Sequence, residues 1–247
     1  MKTFLDDFIY GRNPVLELLA THPERIQKIY VQKGKKVEDK ILERAHANGI
    51  PVSVLSKEKI NKLVGDVNHQ GILARIYPVP PVSQTSMIKQ AIESKGFVVV
   101  VDHIEDPQNL GNIIRTAEVL GAIGVVVPSR RSSPLSKTVV KVSAGAIFRI
   151  PIAVVPNIRN FLRNFKKAGG FVVSVELGGE NIFEFEFPFP LALVIGGEDK
   201  GVGELILKES DFIVTIPMSG KTGSLNAANA IAIAMAFAAK SKLKPNF

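Results

Sequence analysis

Apolar positions change rhythm along this chain of 247 residues. From residue 97 onward, short continuous apolar runs alternate with segments of helical spacing. Phe97–Val101 reads FVVVV, the run expected of a strand buried on both faces. Gly124–Val127, Phe171–Val175, Leu191–Ile195 and Phe212–Ile216 predict further strands, with helical segments between most of them. After the first strand, Leu110, Ile113, Ile114, Ala117 and Leu120 fall at helical spacing and the segment stops at Gly121. Strands alternating with helices predict a parallel sheet covered on both faces. Ligands in such sheets bind beyond the carboxyl ends of the strands.

The first third is less regular. Asn13–Pro14 reads as an N-cap with proline at the first helical position, opening a helix through Leu18–Leu19. Ile29–Gln32 and Val52–Leu55 read as strands flanking a helix over 37–48. A helix from Ser56 to Leu63 and a strand from Gly71 to Ile76 complete a small α/β unit. Tyr77–Ser86, YPVPPVSQTS, has prolines at 78, 80 and 81, which disfavour helix and interior strand, and reads as a linker. The expected division is a first domain over 1–78, a linker over 79–95 and a second domain over 96–247.

Composition narrows the function classes. Apolar residues make up 46% and charged residues 22%, as in ordinary globular proteins. No apolar run is long enough to span a bilayer. Asp6 and Asp7 stand where a signal peptide needs an apolar stretch, so the expected location is the cytoplasm. Without cysteine there is no disulfide, thiolate metal site or cysteine nucleophile. His22, His46, His69 and His103 are scattered, so no metal is expected. The net charge is +8. Residues 1–80 hold 13 basic and 9 acidic side chains and residues 81–247 hold 18 and 14, leaving +4 on each part. A basic field over both parts suits a polyanion such as RNA, although charge also serves solubility alone.

Three loops at the predicted strand ends are unusual. In Asp102–Arg115, DHIEDPQNLGNIIR, Asp106–Pro107 makes a turn, Asn109 can cap the helix, and Arg115 follows within two turns. Gly196–Gly203, GGEDKGVG, has four glycines in eight residues, which permits positive φ and close backbone approach to a ligand. Its one anchoring side chain is Glu198. Ile216–Asn229, IPMSGKTGSLNAAN, leads into AIAIAMAFAA, an apolar helix expected to begin near Ser224 and to be buried in a core or against a partner chain. Ser224, Asn226 and Asn229 would project from its first turn. Gly220–Lys221–Thr222 mimics the end of a phosphate-binding P-loop, but Thr215 stands where the leading glycine belongs.

In this order the loops resemble the three signature motifs of the SpoU (TrmH-type) family, within the SPOUT class of methyltransferases. DHIEDPQNLGNIIRTAE resembles the first, LVIGGEDKGV the second and TIPMSGKTGSLNAANAIAIA the third, over about residues 96–240. IYGRNPVLELL and NHQGILARI resemble the small ribosomal-protein-like (L7Ae/L30e-type) RNA-binding domain of bacterial 23S rRNA guanosine 2′-O-methyltransferases. The resemblance implies an α/β fold whose C-terminal domain carries a deep trefoil knot, an exception to the general absence of knots. It also implies S-adenosyl-L-methionine as cofactor, an RNA substrate and a homodimer with the site near the interface. By the same resemblance Asn109, Arg115, Glu198, Ser224 and Asn226 occupy catalytic-site positions. Gly196, Gly197, Gly201, Ile216, Met218 and Leu225 occupy cofactor-binding ones. Ala228, where many relatives have serine, and Asp199, where glycine is frequent, depart from the pattern.

The implied reaction is 2′-O-ribose methylation, most directly of a guanosine in 23S rRNA. The alternatives are a tRNA guanosine 2′-O-methyltransferase, whose members usually lack the N-terminal domain, and a non-catalytic RNA-binding module. The family's proposed general base falls on Arg115, but a guanidinium is effectively always protonated. A clamp on the adjacent phosphate is the physically easier role.

Overall fold

In the computed structural model the described residues are 8–77, 81–197, 200–220 and 223–242, with the backbone alone described for Lys137. They form two compact units: Met1–Pro80 with Pro134–Arg149, and Pro81–Ser133 with Ile150–Phe247.

The first unit contains β1 (Phe8–Tyr10), α1 (Arg12–Thr21), β2 (Ile26–Gln32), α2 (Asp39–Ala47), β3 (Val52–Leu55), α3 (Lys57–Val64) and β4 (Ile72–Ile76). Its sheet runs β1-β4-β2-β3. β4 is antiparallel to β1 and β2, and β2 is parallel to β3. α1 buries Val15, Leu18 and Leu19, and α2 buries Ile41 and Ala45. α3 starts where the Ser56 hydroxyl accepts from the Lys59 amide, and its Ile60 and Val64, one turn apart, pack on Leu73. The helix start expected at Asn13–Pro14 lies earlier, at Arg12. Gly11, at φ 98°, turns the chain into the helix, and the Arg12 amide donates to Gln70 Oε1 at 2.8 Å. Pro14 then sits inside the first turn, where a missing N–H costs no bond.

The second unit opens with α4 (Gln84–Glu93), capped by Ser83, then β5 (Phe97–Asp102), α5 (Pro107–Val119) and β6 (Gly124–Pro128). The chain next makes the excursion that contains α6 (Lys137–Val142). It continues through β7 (Ile152–Val155), α7 (Ile158–Lys167), β8 (Phe171–Asn181), β9 (Leu191–Gly196), α8 (Glu204–Leu207), β10 (Phe212–Thr215) and α9 (Ala227–Lys242). The sheet order is β10-β8-β9-β5-β6-β7, with every pair parallel. β5 lies inside this sheet and all its residues are buried, as its unbroken apolar run requires. Val98, Val100, Ala192 and Val194 on one face meet Phe161 and Phe165 of α7.

Two boundaries differ from the sequence-based division. Residues 84–93, expected in the linker, are helical, and Met87 and Ala91 are fully buried. Alternating polar residues hid a helix whose apolar face is only a few residues wide. Of the proline run itself, 78–80 lie outside the described residues. Pro134–Arg149, expected within the second domain, belongs to the first unit: α6 packs on β1 and α1, and Arg149 forms an ion pair with Glu17 of α1.

Candidate active site

The carboxyl ends of β5, β8, β9 and β10 bring the candidate loops together. β5 ends on Asp102, buried at 3% exposure. Its Oδ2 accepts from the Gly203 amide at 3.1 Å, and its Oδ1 lies 2.7 Å from His103 Nδ1. The first loop thereby holds the end of the second. β9 ends on Gly196, where a side chain would collide with the Gly201 carbonyl, and a Cβ on Gly197 would stand 2.5 Å from the His103 carbonyl oxygen. Gly201 has φ +60° and turns the chain back, its amide donating to the Gly197 carbonyl at 2.8 Å. These glycines are demanded by close backbone approach as well as by φ.

β8 adds a wall that pattern reading missed. It continues to Asn181, past the Val175 at which its apolar run ends. Its pairing with β10 jumps from Ser174 opposite Ile213 to Glu180 opposite Val214, so 175–179 bow away from β10. In that bow the Glu176 carboxylate accepts from the Val202 amide at 2.8 Å and the Leu177 amide at 3.0 Å. The Thr215 hydroxyl donates to the Glu176 carbonyl and accepts from the Gly179 amide at 2.9 Å. The polar ELGGEN stretch carries no apolar alternation, which is why the predicted strand stopped at Val175.

These walls enclose a cavity of about 470 Å³, within the range of small-molecule sites. Gly196, Gly197 and Gly201 line one side, and Ile216, Met218, Ser224 and Leu225 another. Val175, Glu176, Leu177 and Lys200 are among the further lining residues, outside the motif expectations. All six expected cofactor-contact residues therefore share one cavity, together with Ser224.

The remaining expected residues are placed differently. Asn226 Nδ2 donates to Asn109 Oδ1 at 2.9 Å, joining the third loop to the first across 117 residues of chain. Asn226 Oδ1 accepts from the Ala228 and Asn229 amides at 3.0 and 3.3 Å, which makes Asn226, not Ser224, the cap of α9. Asp106 caps α5, with Oδ1 accepting from the Gln108 amide at 3.0 Å, so Asn109 lies inside the helix. Arg115 is also on α5 but outside the cavity lining. It shares the exposed stripe of Gln108, Asn112 and Val119 and makes no ion pair or hydrogen bond among the described residues. Asn109 and Arg115 lie about 120° apart around the helix, because each residue advances about 100°. Ser224, Asn226 and Asn229 are exposed, so no burial penalty applies to them. Glu198, Asp199, Lys221 and Thr222 lie outside the described residues.

α9 is not buried all round. Ala227, Ala228, Ile231, Ala234, Met235 and Ala238 face the unit, whereas Ile233 and Phe237 are half-buried and Ala236 is exposed. Among the described residues no cluster of three or more His, Asp or Glu could hold a metal, and no helix is long and apolar enough to cross a membrane.

Comparison with known proteins agrees with this geometry. Residues 96–236 match the SpoU rRNA Methylase family, and residues 8–82 match a domain described as RNA 2′-O ribose methyltransferase substrate binding. A Bacillus subtilis (strain 168) protein carrying the name TrmH family tRNA/rRNA methyltransferase YacO is 36% identical over 234 residues, covering 93% of each chain. The crystal structure of the SpoU methyltransferase AviRb from Streptomyces viridochromogenes shares the fold with a TM-score of 0.79, at 23% identity over 96% of this chain and 89% of that one. An AdoMet-bound rRNA methyltransferase from Sinorhizobium meliloti superposes with a TM-score of 0.75, at 26% identity over 96% and 87% of the two chains. The motif loops, the cavity they enclose and these matches place the chain in the SpoU (TrmH) family of RNA methyltransferases.

Proposed function

We propose that this protein transfers a methyl group from S-adenosyl-L-methionine to a ribose 2′-hydroxyl of RNA, with a guanosine of 23S rRNA as the target. The observation that carries the reading is the single cavity lined by Gly196, Gly197, Gly201, Ile216, Met218, Ser224 and Leu225. Its size and apolar walls suit an adenosyl group, and the close backbone at Gly196 and Gly201 offers amides and carbonyls at a distance no side chain would allow. Bound there, S-adenosylmethionine supplies a methyl group already activated by its sulfonium charge.

The chain's own residues then have to align the ribose and help its hydroxyl lose a proton. Arg115 is assigned to the phosphate next to the target ribose, where its fixed positive charge stabilises developing alkoxide while the proton leaves to phosphate or water. Asn226 and Asn109 hold the third loop against α5, and Ser224, which lines the cavity, is assigned to orienting the incoming ribose. Glu198 is assigned to anchoring the second loop, on resemblance alone.

The protein is further proposed to act as a homodimer. The support is the half-buried outer face of α9, with Ile233 and Phe237, and Val119 of α5 at 71% exposure. A second copy would also give Arg115, outside its own cavity, a site to reach. The trefoil knot of the SPOUT class is proposed for the second unit from its shared fold. The first unit is proposed to hold RNA in an L7Ae/L30e-like manner.

An rRNA target is favoured over tRNA because the substrate-binding unit is present and the Sinorhizobium rRNA enzyme superposes over it as well. The deciding experiment maps ribose methylation in total RNA from a strain lacking the gene. Loss of one 23S rRNA methylation confirms the assignment, loss of a tRNA methylation transfers it to tRNA, and no loss overturns it. Calorimetric titration of the cofactor in EDTA is expected to show undiminished binding.

A further inference from the structure

A row of residues crosses the first unit's sheet and combines charge with aromatic rings. Phe8 on β1 lies opposite Arg75 on β4, and Arg75 lies opposite Lys28 on β2. Directly paired residues share a face, and Tyr30, two positions beyond Lys28, shares it too. One row further along, Tyr10, Leu73 and Tyr30 pack with Ile60 and Val64 of α3, and Phe8 packs at the edge of the same cluster. In the first row Phe8 and Lys28 stay half-buried and Arg75 is exposed.

Two features of this row need a reason. Like charges directly opposite on antiparallel strands destabilise a sheet, and among the described residues neither Lys28 nor Arg75 forms an ion pair with an acid. Each cation instead stands over a ring: Lys28 Nζ is 5.5 Å from the Tyr30 centroid and the Arg75 guanidinium 6.0 Å from the Phe8 centroid. The two rings lie 6.4 Å apart at a tilt of 57°. Such an arrangement holds two positive charges at a fixed spacing beside flat apolar surface.

We infer that this sheet face is a docking platform for unpaired nucleotides of the RNA substrate, with phosphate drawn to Lys28 and Arg75 and a base laid against Phe8. The inference rests on the proposal that the first unit binds RNA, and adds which face does so and what form of RNA it takes. Single strands expose the faces of their bases to aromatic side chains, whereas a duplex keeps its bases stacked inside and offers phosphate and ribose.

The test uses the full-length protein and two fluorescent probes, an unstructured oligoribonucleotide and a blunt RNA duplex, read by anisotropy across a salt series. Phe8→Leu is expected to weaken single-strand binding about tenfold while leaving duplex binding and the salt slope unchanged. The double variant Lys28→Gln, Arg75→Gln is expected to weaken single-strand binding at least about tenfold and to flatten its log–log salt slope by about 1.4, the value for two lost phosphate contacts. Unchanged single-strand binding in both variants, or equal weakening of both probes by Phe8→Leu, overturns the platform. Should Phe8→Leu fail to fold, the double variant, which removes no buried apolar group, decides alone. Wild-type protein that binds neither probe overturns the RNA-binding role of the unit and the platform with it. Undiminished cofactor binding by the variants shows that the second unit is intact.

Discussion

In the parallel sheet the candidate chemistry lies beyond the strand ends, on loops where Gly196, Gly197 and Gly201 bring backbone against backbone. In the four-stranded sheet it lies on the face, where Phe8, Lys28, Tyr30 and Arg75 project from ordinary extended strands. The first arrangement builds a cavity from main chain, so one added methyl group is enough to spoil it. The second builds a surface from side chains, so its losses come in steps as contacts are removed.

Arg115→Ala is the largest expected effect and the exception that sharpens this contrast, since it removes a side chain from the unit that otherwise relies on backbone. Methyl transfer is expected to fall by about two to three orders of magnitude with cofactor affinity nearly unchanged. Single-turnover kinetics beside calorimetry check it, and turnover within a few-fold of wild type would remove Arg115 from the chemistry. Next comes Gly196→Ala. Forcing a Cβ into the Gly201 carbonyl costs about 3 kcal/mol, or roughly 100-fold in cofactor affinity, while RNA binding by the first unit persists. Retained cofactor affinity would show that the cavity is not built as described.

Asn226→Ala removes both the cap of α9 and the tie to Asn109. A loss of about 1 kcal/mol in stability is expected from the cap, with a reduced rate of methyl transfer beyond what the unfolded fraction explains. Thermal unfolding and kinetics on the same samples separate the two parts. The smallest effect is at Glu209, which joins the turn before β10 to α7 through Arg159 at 2.6 Å and Arg163 at 3.0 Å. The hydrogen bond from Arg159, reinforced by Arg163, holds its carboxyl below the usual 4.5 despite partial desolvation. A depressed carboxyl stabilises the fold above its unfolded pKa, and that contribution is lost as the pH falls through the folded value. Glu209→Gln is therefore expected to cost about 0.5–1 kcal/mol at neutral pH. The gap between variant and wild type should narrow as the pH drops below 4.5. A gap that persists unchanged into strong acid would contradict the linkage.

The same comparison argues against dividing the chain to test it. A fragment of residues 86–247 would lose Val82, which pairs with Ala153 of β7, and the Ser83 cap of α4. It would also strip Val139 and Val140 of α6 from the unit that buries them. Point substitutions on each unit leave both cores intact and separate their roles more cleanly.

Much of the second unit was legible because its strands are continuous apolar runs and its motif loops are dense in glycine and capping residues. The strands at 97, 124, 171, 191 and 212 begin where those runs begin. β1 and β7 escaped notice, since FIY and IAVV are too short to show a period, and α4 was masked by the prolines before it. Local pattern also marked Gly196, Gly197 and Gly201 on the cavity wall, because close approach of backbone demands glycine, whereas the β8 side of the lining left no such mark.

Sequence alone thus determined the alternation of strands and helices and the loops worth attention, properties written within a dozen neighbouring positions, and the resemblance of those loops named residues that line one cavity. Tertiary structure decided what meets what: Asp102 with Gly203, Glu176 with Val202, Asn109 with Asn226, and α6 with the first unit. It also set Arg115 on the exposed stripe of α5, away from the cavity its motif suggested. Contacts between residues distant along the chain depend on how sheets and helices pack, and no local periodicity records them.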